Sequence, residues 1–148
     1  MIAFDSKGNL PSGKPIQMDL TDLEQHFVFN LHRHKQFEQY RLYLDELKML
    51  INLPFEQWVD GSFATLKEKP NDIDVVSFIP NDIYQKQEKQ LAKLKKAFYP
   101  TLDVYHVCNY SENHRNFVHS QSDRIEWLHL FSRGRGQKSN KGFITINF

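Results

Sequence analysis

Residues 58–79 set the tightest limit on how this chain can fold. They read Trp-Val-Asp-Gly-Ser-Phe-Ala-Thr-Leu-Lys-Glu-Lys-Pro-Asn-Asp-Ile-Asp-Val-Val-Ser-Phe-Ile. An apolar run stops at Gly61-Ser62, a polar linker follows, and Asp72-Ile73-Asp74 opens a second run of β-branched and aromatic residues. Two strands separated by a turn and a linker fit this pattern. Residues two apart on a strand share a face, so Asp72 and Asp74 point one way and Ile73 and Val75 the other. Paired carboxylates repel unless a positive charge lies between them. A divalent cation with oxygen ligands, most often Mg2+, is the usual answer, completed by water and substrate phosphates. Gly61 permits a tight turn or a close backbone approach. Ser62 adds a hydroxyl and an amide at the start of a short helical turn, where phosphate binds well.

The combination of Gly61-Ser62 with Asp72-Ile73-Asp74 resembles the nucleotidyltransferase signature of the DNA polymerase β-like superfamily. Leu10-Pro11-Ser12-Gly13, the helix start over 20–27, residues 58–63, residues 71–76 and Lys141-Gly142 are similar to small bacterial nucleotidyltransferase-like proteins. That likeness spans nearly the whole chain and is strongest over 61–76. It implies an α/β (α+β) fold: a small mixed central sheet with helices packed on it, preceded by N-terminal helices. It also implies a third acid on a neighbouring strand in an apolar–acid–apolar setting. Asp103, between Leu102 and Val104, matches that setting, and by analogy it helps hold the metal that activates the incoming hydroxyl. The competing reading of Asp103 is a turn residue between helix and strand.

At 148 residues one domain is expected over 1–148, with an arm and helices over 1–53 and a catalytic core over 54–148. The 40% hydrophobic and 14% aromatic content suits a buried core and argues against disorder. A formal charge of +1 gives no global field for holding nucleic acid, so anion binding must come from local clusters. The lone Cys108 excludes an intrachain disulfide framework and a multi-cysteine zinc site, and is expected as a small buried hydrophobe in a strand. No long apolar run predicts a membrane helix, residues 1–14 lack a signal-peptide pattern, and a cytoplasmic protein is expected.

Turn-formers over 1–19 predict an irregular arm with one extended stretch near 2–4. Thr21 with Glu24 fits a capping box at the start of a helix carrying Leu23, Phe27, Val28 and Leu31 on one stripe. Phe37, Tyr40, Leu44, Leu47 and Leu50 form a second helical stripe that Pro54 ends, and 30–35 is either a break or the middle of one long helix. Residues 55–60 read as a strand, 63–66 as a helical turn and 72–79 as a second strand. Asn81-Asp82 caps a helix running to Phe98, and 102–108 alternates as a third strand. A strand–helix–strand unit favours parallel neighbours. Residues 111–122 read as loop, 123–131 as helix in preference to a hairpin arm, 134–140 as a glycine-rich turn and 142–148 as a last strand. Met18, Met49 and the second aromatic stripe are expected in the core.

Two-metal nucleotidyl transfer needs carboxylates that hold ions against the attacking and leaving oxygens. Asp72, Asp74 and Asp103 are the candidate catalytic and metal-binding residues, with Mg2+ or Mn2+ as cofactor. Gly61 and Ser62 would cradle the NTP phosphates, and Lys67 or Lys69 is near enough in sequence to add a contact. Lys67 and Lys69 also read as plain solvated loop lysines, and Asp60 as a cap of the turn. The histidines are scattered, and His32 and His34 do not share a helix face. Residues 133–138 with Lys141 read equally as a phosphate or RNA-backbone contact and as a soluble turn. The lysine-rich face with Lys89, Lys93, Lys95 and Lys96 reads as an ordinary wet surface.

The expected activity is transfer of an NMP from an NTP to a hydroxyl on RNA, protein or a small molecule. The resemblance places such proteins in toxin–antitoxin or phage-defence systems. The alternative is a catalytically weak or inactive protein of the same fold that binds nucleotide or a partner. Much of the superfamily's second lobe is missing here, so the N-terminal helices, a partner protein or a homodimer would replace it. A phosphatase-type aspartate nucleophile is set aside, because Lys69-Pro70-Asn71 stands where that motif wants an apolar strand.

Overall fold

A computed structural model describes residues 2–11, 15–132 and 141–148. The order is β1 (Ile16–Gln17), α1 (Leu20–Phe27), α2 (Leu31–Ile51), β2 (Glu56–Asp60), a 3-10 turn (Ser62–Ala64), β3 (Ile73–Pro80), α3 (Asn81–Phe98), β4 (Leu102–Asn109), α4 (Phe117–Ser132) and β5 (Ile144–Asn147). The fold is α+β, built on one mixed sheet with strand order β1-β5-β2-β3-β4. β2 runs antiparallel to β3 and β5, while β3 and β4 lie parallel, joined through α3.

Strand alternation divides the core. Val59, Ile73, Val75, Val104, Ile144 and Ile146 pack with the buried faces of α1, α2 and α3. Trp58, Val76, Phe78 and Phe143 form a second cluster on the opposite face, closed by Phe131 of α4. Asp60, Asp74 and Asp103 have the same strand parity as this second set, two residues beyond Trp58, Val76 and Tyr105. They therefore stand at one end of the α4 face.

The α2 stripe is present: Phe37, Tyr40, Leu44 and Leu47 are buried, and the stripe begins with the fully buried Arg33. Several local expectations need correction. Asp19, not Thr21, caps α1, its carboxylate accepting from Asp22 N at 2.8 Å; this starts the helix at Leu20 and puts Thr21 inside it. The break between α1 and α2 falls at 28–30, where Asn30 caps α2 by accepting from Arg33 N at 2.9 Å. Asn81 is already helical and Pro80 takes the cap position without a side-chain bond. α4 begins at Phe117, six residues before the expected 123, so part of the predicted loop is helical. In the N-terminal arm the strand is Ile16–Gln17, paired parallel with β5, and not residues 2–4. Met18 is buried, but Met49 is 82% exposed because it lies off the α2 stripe. Cys108 is in a strand yet only partly buried. Residues 133–140 lie outside the described residues.

Candidate functional site

β3 and β4 carry the acids into register. Asp74 pairs with Asp103 across the parallel ladder and with Asp60 across the antiparallel one. Asp72 sits just before β3. Asp72, Asp74 and Asp103 each offer a ligand atom within 4.8 Å of the others, and all three are partly buried. Three hard oxygen donors at this separation suit Mg2+ or Mn2+. Asp103 thus stands on a strand as a site acid and not in the turn.

The cluster is electrostatically loaded. Burial, and then the neighbouring charges of Asp72, Asp103 and Asp60, push the Asp74 carboxyl up to about 7. Asp60 is buried and raised to about 6, chiefly by burial, although the Lys141 ammonium opposes this. Lys141 Nζ lies 2.8 Å from Asp60 Oδ1 and is itself largely buried. Asp60 thus does more than cap the turn: it anchors a cation whose field also reaches Asp74. On the β4 side the Tyr105 hydroxyl donates to Asp103 Oδ2 at 3.0 Å, fixing that carboxylate from the edge of the site. Outer-shell bonds of this kind orient metal-ligating carboxylates.

Gly61 has φ +76° and ψ −167°, a region that only glycine occupies comfortably. A Cβ at this position would collide with Asp74 Oδ2. The glycine is needed twice, for the backbone conformation and for the close approach to the acid. It brings Ser62 and the 3-10 turn alongside the acid cluster. Lys67 is different: its side chain is exposed and its carbonyl is the part held by the fold, accepting from Arg33. Lys69 is exposed as well.

Two recesses lie elsewhere. A groove between α2 and α3 is lined by Met49, Leu50, Leu94 and Ala97. A cleft beside the N-terminal half of α2 is lined by His32, Gln36, Asn71 and Thr101. Neither includes an acid of the cluster. Of the two histidines at 32 and 34, His32 Nε2 bonds the Pro70 carbonyl at 2.7 Å and His34 meets Glu38 at 3.2 Å. No helix of the described residues is long and apolar enough to cross a membrane.

Sequence reasoning missed Arg33, Tyr105 and the buried pair of Asp60 with Lys141. Arg33 had a signal, since it lies four residues before Phe37 and seven before Tyr40, on the apolar stripe. Asp60 had one too, sharing the strand parity of the apolar Trp58.

Neither the curated proteins nor the solved structures include a match to this chain. One family profile does match, over residues 2–147, and on that span the chain belongs to a family of unknown function, DUF6932.

Proposed function

We propose that this protein is a metal-dependent nucleotidyltransferase that moves an NMP from an NTP to a hydroxyl on RNA, protein or a small molecule. The observation that carries the reading is the convergence of Asp72, Asp74 and Asp103 within 4.8 Å at the start of two parallel strands, with Gly61 packed against Asp74. The donor set fits Mg2+ or Mn2+, which when bound would neutralise phosphate charge and favour attack by a hydroxyl. Asp72 and Asp74 would hold the ion shared with the phosphates. Asp103, oriented by Tyr105, would serve the side on which the acceptor hydroxyl arrives. Gly61 lets the backbone before Ser62 pack directly on Asp74, and the Ser62 hydroxyl would contact a phosphate. Lys141 holds Asp60 and limits repulsion in the cluster before substrate arrives. The resemblance points to a toxin–antitoxin or phage-defence setting.

The test is incubation with each radiolabelled NTP, Mg2+ or Mn2+, and total cellular RNA and protein, beside an Asp72→Ala/Asp74→Ala variant. Label transferred to a macromolecule by the unsubstituted chain alone is the expected result and names the acceptor class. Metal-dependent NTP binding without transfer would replace this reading with that of a binding protein. The absence of both would overturn it.

A further inference from the structure

The 62–70 segment that follows Gly61 is held to α2 by side-chain hydrogen bonds to its carbonyls, and Arg33 makes most of them. Its side chain is fully buried. Its guanidinium donates to five backbone carbonyls: Phe27 at 2.9 Å, Phe63 at 2.8 Å, Thr65 at 2.7 Å, Ser62 at 3.3 Å, and Lys67 twice, at 2.9 and 2.5 Å. Four of those carbonyls belong to the segment after Gly61. The group also lies over the Phe29 and Phe63 rings, 4.4 and 5.0 Å from their centroids. Burial lowers its pKa to about 10, so it stays charged at neutral pH. Asn30, which caps α2, and Gln36, within it, add bonds to the Glu68 and Pro70 carbonyls, each at 2.7 Å.

An arginine used only to fill a core would not need four of its five carbonyl partners on one loop. A guanidinium has five N–H donors in a rigid planar fork, and here all of them meet main-chain oxygens. The consequence concerns peptide orientation. In a trans peptide the C=O and the following N–H point in opposite directions. The Ser62 carbonyl is held on the Arg33 side by Nη2 and by the Thr65 hydroxyl, which donates to it at 2.6 Å. The Phe63 N–H is therefore turned away from Arg33. The side chain fixes which way the Ser62–Phe63 peptide faces beside the acid cluster.

We infer that Arg33 is a positioning residue for phosphate binding, holding the peptides after Gly61 in the orientation that receives the NTP. This rests on the nucleotidyltransferase reading and adds a separable consequence. The acids ride on β3, β4 and the residue before β3, whereas the segment depends on α2. Loss of Arg33 should weaken nucleotide binding while sparing metal binding.

The experiment measures Mn2+ binding by the acids, and binding of a non-hydrolysable NTP analogue with Mn2+ present, for the unsubstituted chain and for Arg33→Lys. Lysine keeps the charge but not the fork. Arg33→Lys should bind Mn2+ within about twofold of the parent and bind the analogue at least tenfold more weakly, about 1.4 kcal/mol. Thr65→Val, which removes the other donor to the Ser62 carbonyl, should show the same split to a smaller degree, and it stands in if Arg33→Lys does not fold. Equal nucleotide affinity in parent and variants would overturn this inference and leave the function standing. A matched loss of Mn2+ and nucleotide binding would also overturn it, by making Arg33 purely structural. A parent that binds neither would overturn the function itself.

Discussion

Asp74→Asn should make the protein more stable at pH 8 while removing the site's ability to hold metal. In the fold Asp74 keeps its proton up to about pH 7, against 3.8 in an ordinary chain. Between those values the folded state binds more protons than the unfolded one, so stability falls as pH rises through that window. Below pH 4 both states are protonated and Asp74 costs nothing. Above pH 7 both are ionised and the whole cost is present. At about 1.4 kcal/mol per pH unit, the rise from 3.8 to about 7 gives an upper bound of ~4 kcal/mol. Asp74 is only partly buried, so screening by water should bring the realised cost to about 2 kcal/mol.

Asparagine keeps the shape of the side chain and removes the charge. For a chain of this length about 2 kcal/mol corresponds to a rise of about 4–8 °C in melting temperature. Thermal denaturation followed by circular dichroism, in EDTA, should show that gain at pH 8 and little of it at pH 4.5. Asp60 titrates in both proteins and largely cancels in the difference. Adding Mg2+ at pH 8 should reverse the order, since a ligand at about 100 times its Kd stabilises the parent by ~2.7 kcal/mol and the variant by far less. An Asp74→Asn protein no more stable than its parent at pH 8 in EDTA would refute the electrostatic argument. So would a gain that persists unchanged at pH 4.5.

Gly61→Ala forces a side chain into a glycine-only backbone region and against Asp74 Oδ2; the strain alone costs about 1–3 kcal/mol, and Mn2+ affinity should fall about tenfold because the acid must move. Calorimetric titration of the folded variant checks this, and unchanged Mn2+ affinity would show that the close approach is not needed. Lys141→Met leaves Asp60 buried without its cation and should cost about 3 kcal/mol at pH 8. The cost should shrink near pH 5, where Asp60 takes a proton, so urea denaturation at both pH values decides whether the pair matters.

The strands bearing the acids could be read from the sequence because their signals are local. Asp72-Ile73-Asp74 opens a β-branched run, and Leu102-Asp103-Val104 repeats the setting in the next strand. The parallel pairing that brings Asp74 opposite Asp103 followed from a single helix between them. What escaped is non-local. Nothing near Arg33 in the chain says that four of its five partners are carbonyls some thirty residues away, and a charged group on an apolar stripe is the only trace it leaves. Lys141 and Asp60 meet from opposite ends of the core because β5 inserts beside β2, a pairing that β-propensity does not specify. The early start of α4 was hidden by Asn, His and Ser, residues that favour loops. There Tyr110 N bonds the Ser120 hydroxyl at 2.7 Å and draws the polar segment close to the helix.

Non-local contacts also tie residues 1–53 to residues 54–148. β1, from the N-terminal arm, is an edge strand completed only by β5 at the other end of the chain. Lys141 is fixed to Asp60 and, by its backbone N–H, to the Ser132 carbonyl at the end of α4. α2 supplies one wall of the main core and, with its cap Asn30, all of the side-chain bonds described above to the 62–70 carbonyls except that from Thr65. A core of residues 54–148 alone would keep the three acids but lose the element that orients the segment after Gly61. The N-terminal helices are thus part of the site's construction. α2 orients that segment from within the same core that positions the acids.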